Sequence, residues 1–385
     1  MTDDPIVFSP APGAPELAGA TLNIDLKVLQ DNWRQLAAEC GPARCSATVK
    51  GDAYGLGIEP VVRALKAAGC GTFFVALPHE GVVVRAIAPD CAVFVLDGLL
   101  TGSAEYYAKN NLIPVLTSLD EIEEWASYCA NTQQRLAGAV HIDTGINRLG
   151  LSAADVEQLA RAPQPFEAFD LQLVMSHLAN GDQPGSEHNP VQLALFNQLR
   201  ALLPDAPASI ANSAGIFLGD EFKLDMVRSG VGLYGGNPFA SRPNPMAPVV
   251  HLYAPILQVR DVALGQAVGY GGSWLAGRPS RIAVLGVGYR DGYPRALSYP
   301  AHDGPAHVMI GGHYAPVVGR VSMDMITVDV TDISSDFARR GINAEIMGDH
   351  VTVDDIARWA DTIPYEILTH LGSRYARLYS SFDSE

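Results

Sequence analysis

Positive charge is scarce in this 385-residue sequence: 26 Lys and Arg stand against 42 Asp and Glu, a formal net charge of −16. Such a chain repels phosphate backbones and anionic lipid heads, which argues against nucleic acid and membrane surfaces as partners. Long apolar runs are missing too. None reaches the ~18 residues of a membrane span, and the opening stretch MTDDPIVFSPAPGAPELAGA is acidic and proline-rich, without the apolar segment of a signal peptide. Cysteine is sparse and unpatterned. Cys40, Cys45, Cys70, Cys91 and Cys129 are odd in number and form no C-x-x-C pair, which fits reduced structural thiols in a cytoplasmic protein. The global charge does not exclude a phosphorylated small molecule, because a local pocket of N–H groups and one arginine outweighs it.

Hydrophobic residues make up 48% of the chain and charged residues 18%, enough apolar material for substantial cores. From about residue 44 to 235, short apolar runs alternate with amphipathic stretches. The runs are 43–50, 72–77, 92–97, 112–117, 136–143, 171–177, 208–212 and 224–228. They are rich in Val, Ile, Leu and Phe and lack strict alternation, as strands buried on both faces of a parallel sheet do. Helical patterns lie between them, such as 60–68 and 191–203. Eight strands alternating with helices predict an α/β fold, a (β/α)8 TIM-type barrel over 20–245. Residues 21–25 precede the first barrel strand and are read as leading in from a second domain. Residues 1–19 read as an extended N-terminal segment. Near Pro245 the pattern changes. Shorter, alternating runs at 257–262, 281–287, 307–310, 315–318 and 326–330 predict a mostly antiparallel β domain over 246–385. Helices are expected at 354–360 and 365–374.

Polar residues cluster just after the apolar runs: Lys50, Arg148, His177, Asn212, Ser213 and Arg228. In a (β/α)8 barrel these strand ends share one rim, where active sites are built. A lysine at the end of an apolar strand is desolvated, which lowers its pKa and frees the amine for imine formation. A lone lysine there is as easily one that snorkels to solvent, but Tyr54 and the glycines of VKGDAYGLG suit a tight anion-binding loop. Gly230 and Gly232 in RSGVGLYG let backbone N–H groups approach a phosphate. With Asn212 and Ser213 on the neighbouring rim segment, they make a candidate phosphate cup.

At these residues the chain resembles the alanine racemases, pyridoxal-phosphate (PLP) enzymes of the alanine racemase/ornithine decarboxylase barrel fold. VKGDAYGLG, HIDTGINRLG, IANSAG, VRSGVGLYG, VGYGGSW, GYRDGYPR, GRVSMD and IPYEIL occur in the family's order across residues 20 to 380. The resemblance implies PLP held by Lys50, which is also one catalytic base, with Tyr270 as the opposing base. It implies phosphate contacts from Tyr54, Ser213, Gly230, Val231 and Tyr365, and cofactor contact near Asn212. Arg148 matches the arginine near the phenolic oxygen and the substrate carboxylate, and Arg228 the donor to the pyridine nitrogen. His177 is similar to the histidine linked to that arginine, Met323 to the residue whose N–H meets the substrate carboxylate, and Tyr289 to a gate at the substrate entrance. It further implies a homodimer with shared sites and alanine as substrate, with D-alanine for peptidoglycan or L-alanine for catabolism as the two uses. The chain departs from the family at His141, where many members carry a lysine, often carbamylated, that positions the arginine. Strictness for alanine therefore stays open, as does a broader-specificity racemase. A decarboxylase of the same fold would place a carboxylate where Arg228 stands. A non-catalytic PLP carrier would lack the β domain. A metal hydrolase finds no closed ligand spacing among His177, Asp182 and His188 or among His302, His307 and His313.

Overall fold

The structure, a computed structural model, describes residues 6–7, 19–239 and 241–382. The expected extended segment 1–19 otherwise lies outside the described residues. Strand β1 (Ile6–Val7) is followed by β2 (Thr21–Ile24), then by β3 (Arg44–Thr48), β4 (Thr72–Val75), β5 (Ala92–Val95), β6 (Ile113–Leu116), β7 (Ala137–His141), β8 (Asp170–Met175), β9 (Ala208–Ser209) and β10 (Met226–Ser229). Strands β3 to β10 form one eight-stranded parallel sheet in the order β10-β3-β4-β5-β6-β7-β8-β9. The last gap closes through Asp225 N to Ala208 O (3.1 Å), Arg228 N to Ala211 O (3.0 Å) and a parallel bridge between Asn212 and Arg228. All eight apolar runs become barrel strands. The expected helices at 60–68 and 191–203 are Ile58–Ala67 and His188–Arg200. Inside the barrel, Phe74, Phe94, Val115, Ala139, Leu173, Met175 and Met226 pack as a closed apolar cluster, so the interior is a filled core rather than a pore.

The remaining strands are β11 (Val250–Val262), β12 (Ala267–Val268), β13 (Trp274–Leu275), β14 (Ser280–Leu285), β15 (His307–Ile310), β16 (His313–Val318), β17 (Ile326–Asp329), β18 (Asn343–Met347) and β19 (Ala376–Tyr379). Their large sheet runs β1-β19-β2-β11-β14-β17-β16-β15-β18, and β18 returns to pair with β11. The ring from β11 to β18 is thereby closed, which removes exposed strand edges. The long β11 spans the ring by bending at two register shifts, one between Leu252 and Tyr253 and one between Ile256 and Gln258. All pairs in this sheet are antiparallel except β19 with β2. Residues 21–25 do come from this second sheet: β2 lies between β19 and β11. Asp25 then caps the helix Leu26–Cys40, accepting from Lys27 N and Val28 N at 3.0 Å each. The chain end differs from expectation. The helix expected at 365–374 stops at Thr369, and β19 follows. Among the described residues no helix is long and apolar enough to cross a membrane.

Candidate active site

At the carboxyl rim of the barrel a cavity of about 460 Å³ is lined by Thr48, Lys50, Tyr54, Asp97, His141, Arg148, His177, Asn212, Ser213, Arg228, Gly230 and Tyr365, with Leu96, Leu149 and Met175. The strands place these side chains by their ends: Lys50 two residues past β3, Asp97 two past β5, His141 closing β7, His177 two past β8, Arg228 within β10.

After Lys50 the chain makes an unusual turn. Gly51, Asp52, Ala53, Tyr54 and Gly55 all have positive φ, from 53° to 80°. Left-handed conformation costs an L-residue about 1–2 kcal/mol, and three of these five carry a Cβ. Strain of this kind persists where surrounding contacts over-determine it and is concentrated at functional sites. Those contacts are present. Asp52 Oδ1 accepts from Ile58 N (2.8 Å), Arg377 Nη1 donates to Gly55 O (2.6 Å), and Tyr379 Oη donates to Leu56 O (2.9 Å). Glycine is required at 55, where a Cβ would lie 2.6 Å from the carbonyl of Leu368. The turn buries Tyr54 against Tyr234, ring centroids 4.6 Å apart, and Tyr234 Oη donates to Thr48 O at 2.9 Å.

Tyr54 Oη faces a cradle. Ser213 Oγ accepts from Gly230 N (2.8 Å) and Gly232 N (3.3 Å), at the start of a short 3-10 turn, Val231–Tyr234. A Cβ on Gly230 would stand 2.6 Å from Tyr54 Oη, so this wall has no room for a side chain. Asn212 Oδ1 accepts from Gly215 N (2.9 Å), fixing the adjoining loop.

Arg228 is buried, and its guanidinium donates to Ser209 Oγ, Ser176 O and Ile210 O and lies 3.3 Å from His177 Nδ1. Burial lowers its pKa to about 9, which leaves it charged at neutral pH. Burial, then Arg228, holds His177 well below the usual histidine range, so its imidazole is neutral. Gln192 on helix His188–Arg200 braces this loop, donating to His177 O (3.0 Å) and Thr144 Oγ1 (3.2 Å) and accepting from Ala179 N (2.8 Å). His141 is pushed down to about 4, by burial first and then by Arg228. Its Nε2 is buried with no hydrogen-bond partner among the described residues, a state in which buried polar groups rarely remain. Arg148 rides on a loop pinned by Asp143, whose carboxylate accepts from Gly145 N, Ile146 N and Asn147 N. The Arg148 side chain is exposed and has no hydrogen bond or ion pair among the described residues. Lys50 is open to solvent on one side, yet burial of its amine, followed by repulsion from Arg148, lowers its pKa; Asp97 and Glu80 partly oppose this.

Residues 24–238 match the alanine racemase N-terminal domain family and residues 249–379 the alanine racemase C-terminal domain family. The chain belongs to the alanine racemase family. It is 48% identical over 361 residues to an alanine racemase of Methylobacterium nodulans, covering 94% of this chain and 96% of that one. It is 44% identical to an alanine racemase of Rhodospirillum rubrum over 369 residues, covering 95% and 97%. Its fold matches a crystal structure of alanine racemase from Bartonella henselae with covalently bound pyridoxal phosphate, at TM-score 0.89, 39% identity and 94% and 99% coverage.

For a member of the alanine racemase family, the expected residues fall into two groups. Lys50, Tyr54, Arg148, His177, Asn212, Ser213, Arg228, Gly230 and Tyr365 line one cavity, and Val231 follows Gly230 behind it. Tyr270, Met323 and Tyr289 do not line it. They lie on the β domain, 73%, 52% and 41% exposed. Met323 O accepts from Arg290 N (3.0 Å), and Tyr289 N donates to Ser322 O (3.0 Å), so these two are neighbours. Asp97 is a cavity residue that the sequence reading passed over; its signal was its place at the end of an apolar run, as for Lys50.

Proposed function

We propose that this chain interconverts L-alanine and D-alanine with PLP held in the barrel cavity and with Lys50 and Tyr270 as its two proton-transfer groups. The carrying observation is the shared cavity: the Lys50 amine, the buried Arg228–His177 pair and the Gly230–Ser213 cradle open into one space, in a chain of the alanine racemase family. The residues fit the cofactor. The wall at Gly230 excludes a side chain next to Tyr54 Oη, and the volume lies in the range of small-ligand sites. Lys50 would hold the aldehyde group, the Tyr54, Ser213, Gly230, Val231 and Tyr365 end the phosphate, and Arg228 the ring nitrogen. When bound, the cofactor supplies an acceptor for the electron pair left when the bond between Cα and hydrogen breaks.

Racemisation removes a proton from one face of Cα and returns one to the other, and one base does not readily reach both faces. Lys50, whose lowered pKa leaves more of its amine uncharged and so free to accept a proton, serves one face. Tyr270 serves the other. Arg228 donates a hydrogen bond without giving up its proton, and this restrains the electron sink from side reactions. Arg148 offers its guanidinium to the substrate carboxylate, with the Met323 N–H as second contact.

Tyr270, Met323 and Tyr289 stand exposed on the β domain, outside the cavity of their own chain, which supports a homodimer in which each β domain completes its partner's cavity. The five free cysteines, four of them buried, support a cytoplasmic location. A broader substrate range is a second reading, favoured by His141 Nε2 and the Arg148 guanidinium, neither of which has a hydrogen-bond partner among the described residues. The test is incubation of the PLP-loaded protein with L-alanine in D2O. Equal enantiomers with deuterium at Cα support the reading; no D-alanine contradicts it. Larger and basic amino acids in the same assay decide the range.

A further inference from the structure

The backbone next to Lys50 is held from another barrel unit. Glu80 is the third residue of helix Pro78–Ile87, and its two carboxylate oxygens do different things. Oε2 accepts from Ala76 N (2.9 Å) and Leu77 N (3.1 Å), closing the start of its own helix. Oε1 reaches across to accept from Gly51 N at 2.7 Å. Gly51 directly follows Lys50 and opens the left-handed turn. The far half of that turn is tied by Asp52, Arg377 and Tyr379. The near half has the Ala53 N to Val49 O bond and this one from Glu80.

We propose that Glu80 is a positioning residue for Lys50: its carboxylate clamps the strained turn at Gly51 and so fixes the direction of the Lys50 amine without touching the reacting atoms. The proposal rests on the reading of Lys50 as the cofactor lysine. Capping its helix would need the Oε2 contacts alone; the Oε1 contact serves the neighbouring loop. The barrel carries its own control. Glu121, third residue of helix Leu119–Thr132, accepts from Thr117 N (2.7 Å) and Thr117 Oγ1 (3.0 Å), and packs against the loop of the preceding unit, where a Cβ on Gly98 would lie 2.6 Å from its Oε1. The same device thus recurs two units on, at a loop without a lysine. Glu80 and Glu121 share the capping task and differ in what they clamp.

The substitution Glu80→Gln leaves an NH2 group facing one set of backbone donors, and Glu121→Gln does the same at the other loop. Each full-length variant, freed of cofactor, is mixed with pyridoxal phosphate, and covalent capture is followed over time after borohydride fixation, alongside the thermal midpoint. Glu80→Gln is expected to slow capture by about tenfold or more, the scale of a small misplacement of a reacting group, with a fall in midpoint no larger than that of Glu121→Gln, which captures at the parent rate. Capture by Glu80→Gln at the parent rate, or equal slowing in both variants, overturns the proposal. Hydrogen exchange in the unaltered chain is the second measurement, independent of whether the variant folds. The Gly51 amide should be protected although the residue is exposed, and free-chain exchange there overturns the clamp. Lys50→Ala separates the two levels: capture undiminished in that variant removes Lys50 as the cofactor lysine and the proposal with it.

Discussion

The barrel rim holds buried candidate groups that the β domain lacks. On the rim, Arg228 is 5% exposed and His141 6%, and burial shifts Lys50, His141, His177 and Arg228 away from their solution behaviour. On the β domain, Tyr270 is 73% exposed. Desolvation acts on a titrating group only where water is excluded, so the buried rim groups are prepared within one chain, while Tyr270 stands outside that cavity. In the proposed reading the rim sets cofactor chemistry and the β domain, through Tyr270, supplies the second proton path.

The contrast is broken most forcefully at Lys50. Lys50→Ala should lose both covalent PLP retention and racemisation, the latter by about ten-thousand-fold, the upper range for a positioned proton-transfer group. Visible absorption and a chiral assay read the two losses. Tyr270→Phe should separate them: retention unchanged and racemisation down about a thousandfold, with exchange of Cα hydrogen surviving on one face as a stereospecific deuterium label. Next comes acid stability. His141 has a folded pKa near 4 against 6.5 in the unfolded chain. The unfolded state therefore binds more protons between those values, so this contribution is complete above pH 6.5 and is lost as pH falls towards 4. The loss is at most about 3 kcal/mol, and His141→Phe should flatten the stability profile across that window in denaturant titrations. The smallest effect is expected at the cradle. Gly230→Ala sets a methyl against Tyr54 Oη and should weaken PLP affinity about tenfold, roughly the worth of one lost hydrogen bond, with the fold intact by circular dichroism.

The rim was legible in the sequence because parallel strands buried on both faces write continuous apolar runs, and function sits at their ends. The shift to shorter, alternating runs marked the second sheet, but not all of its strands. Strand β18 was missed because buried Glu345 interrupts its run; that carboxylate accepts from His350 N (2.8 Å) and Val351 N (3.0 Å). Strand β19 was missed because ARLY, a four-residue parallel partner of β2, directly follows a helical pattern. Glu80 was invisible for another reason: it reads locally as a helix-start acid, and its reach to Gly51 in the neighbouring unit exists only in the closed barrel. Lys50, Tyr270 and Met323 were legible through family motifs, whereas apolar periodicity gives no sign that the last two lie apart from the first.

Mixing two inactive chains tests the division between rim and β face most directly. Lys50→Ala and Tyr270→Phe proteins, each inactive, would be unfolded together, refolded with PLP and assayed on L-alanine. If each cavity is completed by its partner's β domain, random pairing gives hybrids with one intact site, and activity should return to about a quarter of the parent value. Activity that stays at the level of the separate variants, with hybrid dimers verified by mass, would contradict the account.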